Sequence, residues 1–162
     1  MAFTGNYMPT SFKVGLLNGV FSFTPGTGDG YYIALYTNSA TFDATTSAYT
    51  ATNEVTGTGY TAGGNLLTVS TGVPAPLSPF TASTTAYINF DNTTWSTATI
   101  TARGALIYKN STLTIGGASV VKPVIAILDF GSDKSSSASN FTIQFPSVGT
   151  SPIGSTAILR IA

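Results

Sequence analysis

The sequence is dominated by short stretches of β-favouring residues that are separated by Gly, Pro, Ser and Asn. Residues 31–37 combine aromatic and β-branched side chains, and residues 86–91 alternate, with Ile88 and Phe90 on one face. Further stretches of this kind are residues 65–70, 97–109, 121–130, 141–145 and 158–161. Evenly spaced short strands with such punctuation predict a mainly β fold, an antiparallel β-sandwich that is jelly-roll-like.

One segment near the start has a different periodicity. Apolar residues recur at helical spacing between Phe12 and Phe21, and Thr10 and Ser11 offer hydroxyl caps before them. The pattern predicts one short N-terminal helix over about residues 10–20.

The length of 162 residues suits a single domain that spans residues 1–162. Two long irregular stretches interrupt the strand pattern, the Thr-rich residues 40–62 and the Pro-rich residues 72–83. Loops of this length are often functional. We expect both loops to contact neighbouring subunits, and a plain course over the surface is the alternative. The serine-rich residues 135–139 are expected to form a solvated hairpin loop.

The composition excludes several kinds of chemistry. The chain has six Lys+Arg, six Asp+Glu, no Cys and no His, and charged residues make up 7% of it, against about 25% in an ordinary soluble domain. Disulfides, thiolate nucleophiles and imidazole-based triads or metal sites are therefore excluded. Six scattered basic residues cannot form a phosphate-neutralising stripe, so no nucleic-acid partner is expected. We expect neither a catalytic residue nor a cofactor, and no enzymatic activity.

The start of the chain lacks a basic segment followed by an apolar one, and the apolar stretch at residues 120–128 contains Lys122 and Pro123. We therefore expect no export signal and no membrane-spanning segment, and synthesis in a cytoplasm.

The acidic residues offer two hypotheses. Asp129 and Asp133 flank a glycine, so two carboxylates around a turn form a weak candidate Ca²⁺ site. The alternative is a strand that ends in a turn, with Lys134 balancing Asp133. A carboxylate-dependent glycosidase is the last of the function hypotheses, with Asp91 and Asp129 as its best candidates.

Glycines and aromatic residues give the candidates for subunit contact. The glycine-rich residues 57–64 lack the Gly-Lys-Ser/Thr ending of a phosphate loop, so their glycines are expected to permit positive φ and close backbone approach. Aromatic side chains anchor interfaces or stack on sugars. Trp95 is the best candidate for a half-buried anchor, although core packing is the commonest fate of a lone Trp. The interface candidates are Tyr49, Gly57, Tyr60, Gly63 and Trp95.

Seven short motifs, taken in order, resemble a group of small virion structural proteins from tailed bacteriophages. The resemblance covers roughly residues 10–161. Its motifs lie at residues 32–40, 49–55, 57–64, 95–96, 100–105, 128–131 and 141–146.

The resemblance implies a virion component that is made in the cytoplasm of the bacterial host. We expect a capsid decoration or cement subunit whose main partner is the major capsid protein. Low charge suits packing against identical copies, so a homo-oligomer is expected, with a trimer among its forms. The alternatives are a tail or fibre-base component, and a carbohydrate- or receptor-binding module on the virion.

Overall fold

A computed structural model describes residues 3–23, 30–69, 86–146 and 157–161 of the chain. The helix and strands are α1 (Thr10–Leu17), β1 (Tyr31–Tyr36), β2 (Asn65–Leu67), β3 (Ala86–Ile88), β4 (Thr93–Lys109), β5 (Thr112–Ile115), β6 (Ala118–Val121), β7 (Val124–Ile143) and β8 (Leu159–Ile161). The predicted class is confirmed, because the structure is mainly β with antiparallel sheets and one short helix, consistent with a β-sandwich. The jelly-roll connectivity stays a prediction.

The helix begins where it was predicted, but the expected hydroxyl cap is wrong. Pro9 occupies the N-cap position and no side chain caps the helix. The N–H of Thr10 instead donates to the carbonyl of Ala44, at 2.9 Å. Proline suits the start of a helix because the first amide groups have no partner within the helix.

The helix is shorter than the predicted residues 10–20 because a Schellman motif ends it. The N–H of Gly19 donates to the carbonyl of Leu16, and that of Val20 donates to the carbonyl of Gly15. These bonds satisfy carbonyls that the helix leaves free. No helix in the described part of the chain is long and apolar enough to span a membrane.

The largest sheet has the strand order β2-β1-β4-β7. Strand β1 pairs antiparallel with the C-terminal end of β4, with Tyr31 opposite Lys109 and Tyr36 opposite Gly104. The prediction of a strand over residues 31–37 is thus confirmed. A buried cluster packs on this pair and consists of Phe3, Ala34, Tyr36, Ala40, Phe42, Leu106, Tyr108, Val124 and Ile127.

Strand β7 is continuous over 20 residues, so both turns expected within it are wrong. Residues 129–133 do not end a strand, and residues 135–139 do not form a hairpin loop. The reason is that β7 pairs with β4, which is distant in sequence. The hydroxyls of Thr101 in β4 and Ser135 in β7 lie 2.8 Å apart. An exposed serine tract becomes a strand when a neighbouring strand satisfies its backbone.

Strands β5 and β6 form a hairpin that was not predicted from the sequence. Gly116 and Gly117 connect them with φ of 58° and 84°. Positive φ at both central residues is the geometry that two-residue hairpin turns favour.

The predicted loop over residues 40–62 contains no helix or strand, but it packs closely. Isolated antiparallel bridges join Ala48 to Pro123 and Glu54 to Tyr36. The predicted loop over residues 72–83 lies outside the described residues.

The chain divides into two compact units. The first comprises residues 1–21, 29–66 and 94–141, and the second comprises residues 22–28, 67–93 and 142–162. Within the second, β3 pairs with β8, and the rings of Phe90 and Phe145 lie 5.7 Å apart. The Asn92 side chain accepts a hydrogen bond from the Phe145 N–H, at 2.9 Å. That the whole chain forms one domain stays a prediction.

Candidate functional site

A buried carboxylate organises the loop over residues 40–62. Glu54 is 8% exposed and lies opposite Tyr36 at the bridge to β1. The next residue, Val55, donates its N–H to the carbonyl of Leu35, at 2.9 Å. The main chain therefore attaches the loop to β1 and places the Glu54 side chain among the tyrosines of this region.

Three donors converge on the Glu54 carboxylate. The Tyr49 hydroxyl donates to Oε2 at 2.6 Å, and the Tyr60 hydroxyl donates to Oε1 at 2.6 Å. The Gly63 N–H also donates to Oε1, at 2.7 Å. A buried carboxylate is tolerated when its lone pairs are satisfied in this way. Residues on both sides of Glu54 in sequence are thereby held at one point.

The hydroxyls of the surrounding tyrosines connect this point to the backbone. The Tyr60 hydroxyl accepts a hydrogen bond from the Leu35 N–H at 2.9 Å while it donates to Glu54. The Tyr108 hydroxyl donates to the Gly63 carbonyl at 2.8 Å. The glycine-rich loop is therefore fixed both to β1 and to β4. We call Tyr36, Tyr49, Glu54, Tyr60 and Tyr108 the tyrosine–glutamate cluster.

The pKa of each tyrosine in the cluster is raised. Burial is the main cause for Tyr36, Tyr49 and Tyr60, and the nearby Glu54 carboxylate adds to it. Burial, together with Glu54, raises the pKa of Tyr108 to about 12. The phenols therefore keep their protons at neutral pH and act as donors to the acceptors around them.

Stacked rings and an ammonium group line one side of the cluster. The ring centroids of Tyr49 and Tyr108 lie 4.6 Å apart, and those of Tyr32 and Tyr108 lie 5.9 Å apart. The Lys122 ammonium lies 4.9 Å from the Tyr49 centroid and 5.8 Å from the Tyr108 centroid. Cation–π attraction of this kind stabilises such a pair by roughly 0.5–1 kcal/mol at an exposed site.

The glycine-rich residues 57–64 show the predicted close backbone approach, and the neighbouring backbones are those of β1 and β4. Gly64 has φ of 73°, and a Cβ atom there would lie 1.8 Å from the Ile33 carbonyl oxygen. A Cβ atom on Gly57 would lie 2.3 Å from the Thr99 carbonyl oxygen. These glycines are needed because the loop backbone lies directly on β1 and β4.

Trp95 is a core residue, so the half-buried anchor is a wrong prediction and core packing is correct. It is 3% exposed, its indole stacks on the Tyr60 ring at 5.9 Å, and Phe141 meets it edge-on at 6.1 Å. Its face is covered within its own chain, which removes it as a platform for a sugar or a neighbouring subunit.

The structure brings most of the predicted interface candidates together. Tyr49, Tyr60 and Gly63 all bind Glu54, and Trp95 stacks on Tyr60. Glu54 itself was missed, because a single glutamate in a Thr-rich stretch has no local signal of burial. Five or six residues separate it from the two tyrosines that bind it, and only the fold shows that they meet.

The acidic pair Asp129 and Asp133 lies along β7 instead of around a turn. Asp129 forms an ion pair with Arg103 and accepts the Gly131 N–H at 2.8 Å. The alternative prediction was that Lys134 balances Asp133. In the structure the Lys134 ammonium donates instead to the Ser132 hydroxyl, at 2.9 Å. Within the described ranges, no group of three or more His, Cys, Asp or Glu side chains is placed to hold a metal ion.

The second feature is the exposed stretch of β7 at residues 131–140, which we call the outer half of β7. Residues 131–140 are exposed apart from the half-buried Ser136, and seven of the ten are Ser, Ala or Gly. The segment lies at the edge of the four-stranded sheet. Its surface presents hydroxyl groups and backbone on both faces, with Asp133 and Lys134 as its charges.

The tyrosine–glutamate cluster and the outer half of β7 differ in what they do in the fold. The tyrosine–glutamate cluster fixes a long loop to the sheet, and the outer half of β7 presents a long polar edge. Searches for related proteins matched no protein family, no curated protein and no solved structure.

Proposed function

We propose that the chain is a non-enzymatic structural protein of a tailed-phage virion, which binds the capsid exterior as a decoration subunit and stabilises the particle. The observation that supports this best is the outer half of β7, an exposed, hydroxyl-rich strand edge at residues 131–140. The ordered set of motifs that resembles phage virion proteins supports it independently.

The roles of the charged side chains also support this proposal. The carboxylate of Glu54 binds two phenols and an amide, and Asp129 pairs with Arg103. Lys109 and Lys122 lie over tyrosine rings. These charged groups hold loops and strands in place. A structural protein with few charged residues is expected to use them in this way.

The polar surface suits wide contact with other subunits. A buried charge requires a partner, whereas a hydroxyl is satisfied by one hydrogen bond to a backbone group. Serine-rich strand edges can therefore be covered by another protein without a matched set of opposite charges. A capsid surface, which repeats the same contact many times, is the partner that we propose.

Purified virions of the phage that encodes the chain provide the test. We expect quantitative mass spectrometry to find the protein at a fixed ratio to the major capsid protein, and a reconstruction to place its density on capsomers. Density confined to the tail would refute decoration and favour the tail alternative. Absence of the protein from purified particles would overturn the virion role altogether.

A deletion of the encoding gene provides a second measurement. Particles without the protein are expected to assemble but to lose infectivity faster on heating than wild-type particles do. Supplying the purified protein to the deletion particles should restore heat resistance, and failure to do so would contradict a stabilising role.

A further inference from the structure

The outer edge of β7 is covered for only part of its length. Near its start, the Val124 N–H donates to the Ser47 carbonyl, and Ile127 exchanges two hydrogen bonds with Tyr7. The Asp129 N–H then donates to the Asn6 side chain, at 2.7 Å. The N-terminal segment of the chain thus completes the sheet along the first residues of β7.

Beyond Gly131 this coverage ends within the described part of the chain. The next residues, 132–137, remain paired to β4 on one side, through contacts such as Ser136 Oγ with the Ala98 carbonyl at 2.8 Å. Gly131 and Ala138 have positive φ, 75° and 46°, and bound the regular stretch. An uncovered edge of about six residues is as long as an average strand and readily accepts another strand.

We infer that residues 132–137 of β7 pair antiparallel with the same residues of a second copy of the chain. This inference rests on the proposed function, because it names one contact that a repeated surface subunit would use. The proposed partner is a second copy because the charges along this edge are compatible with themselves and because its side chains are small.

The charge pattern of the edge is compatible with itself. In a two-fold antiparallel pair, residues opposite each other lie on the same face, so their numbers differ by an even amount. When the axis passes through Ser135, Asp133 faces Ser137 and Lys134 faces Ser136 of the other copy. An axis through Ser136 or Ser137 would set Asp133 and Lys134 opposite residues 138–141, beyond the regular stretch, so an axis through Ser135 fits the edge best. Like charges face each other only when the axis passes through Asp133 or Lys134.

The small side chains permit close approach of two such edges. The serines offer hydroxyl contacts across the strand pair. Lys134, which could block the edge, has its ammonium on Ser132 of its own strand. The C2 arrangement also meets the usual symmetry of homo-oligomers. A strand pair of this size buries less than the roughly 1,000 Å² of a stable interface, so the free pair is short-lived and is best detected by trapping.

Cysteine trapping tests the pairing directly, because the chain contains no cysteine. Ser135, Ser136 and Ser137 are each changed to Cys in the full-length protein, and disulfide dimer formation is followed under mild oxidation. Opposite Cα atoms in such a pair lie about 4.5–5.5 Å apart, within the disulfide range. The residue on the two-fold axis meets its own copy and is expected to crosslink fastest.

The matched control is Ser119→Cys, an exposed strand serine on the β5–β6 hairpin. At least one variant in β7 is expected to form the dimer at least about ten-fold faster than Ser119→Cys, whose rate measures random collision. Equal rates for all four variants, with unchanged circular dichroism spectra, would overturn the pairing. Because virion mass spectrometry tests the proposed function separately, the pairing can fail while the virion role stands.

Discussion

Removal of the Glu54 carboxylate is the most informative perturbation of the fold. Glu54→Ala removes three hydrogen bonds, two from phenols and one from the Gly63 amide. Glu54→Gln retains one oxygen, which can keep its bonds to Tyr60 and Gly63, while its amide group faces the Tyr49 hydroxyl. That hydroxyl can rotate to accept from the amide. The two variants therefore differ mainly in how many donors lose their partner.

The expected magnitudes follow from these contacts. A hydrogen bond to a charged group contributes roughly 1.5–3 kcal/mol net, so three contribute about 4.5–9 kcal/mol. The three bonds share one carboxylate, so their contributions do not add in full. We expect Glu54→Ala to lower the free energy of unfolding by about 3–5 kcal/mol, and Glu54→Gln by about 1–2 kcal/mol.

Equilibrium unfolding in urea measures both changes. The single Trp of the chain, Trp95, stacks on Tyr60 and gives a fluorescence signal from the region of interest. Asp133→Ala, at an exposed position, is the control and should change stability by less than about 0.5 kcal/mol. If Glu54→Ala and Glu54→Gln destabilise equally, or if both match the control, the carboxylate does not organise the loop.

Three further predictions concern the same regions. Gly64→Ala should destabilise the fold by more than about 3 kcal/mol, because its Cβ would meet the Ile33 carbonyl, whereas Gly117→Ala, at similar φ but in open space, should cost only about 1–2 kcal/mol in urea unfolding. Trp95→Ala should lower the free energy of unfolding by about 3–5 kcal/mol when followed by circular dichroism, and a loss below about 1 kcal/mol would contradict its core position. Because the pKa of Tyr108 is raised to about 12 by burial, the unfolded chain ionises first, from its ordinary value near 10. Stability should thus be full below about pH 10 and fall as the pH rises towards about 12, and a urea midpoint that stays constant from about pH 9 to about pH 11 would refute this.

The elements that the sequence predicted well are those whose pattern is local. Residues 31–37 have a dense run of aromatic and β-branched side chains, and β1 occupies Tyr31–Tyr36. The helix was placed correctly at its start, and its end differed because a glycine at residue 19 allowed a Schellman motif to form. The missed hairpin at residues 112–121 had a usable signal, since Gly116 and Gly117 lie between two β-favouring runs.

The features that escaped prediction depend on contacts that are distant in sequence. The serine tract at residues 135–139 has every local mark of a loop, and it is a strand because β4 pairs with it. The burial of Glu54 depends on a bridge to Tyr36, 18 positions earlier in the sequence. Local patterns could therefore draw attention to the glycine-rich loop and its tyrosines, but they could not reveal the carboxylate that these residues bind.

The placement of the charges links the fold to the proposed role. A carboxylate buried in a chain with so few charged residues gives geometric specificity, because it accepts only donors that reach its oxygens. The bonds to Glu54 fix the glycine-rich loop, which packs on β1 and β4. Strand β7 forms an edge of the same sheet, and its serines need no charged partner. A rigid interior and a permissive edge together suit a subunit that must pack against copies of itself, and the cysteine scan along residues 135–137 measures whether that edge is used.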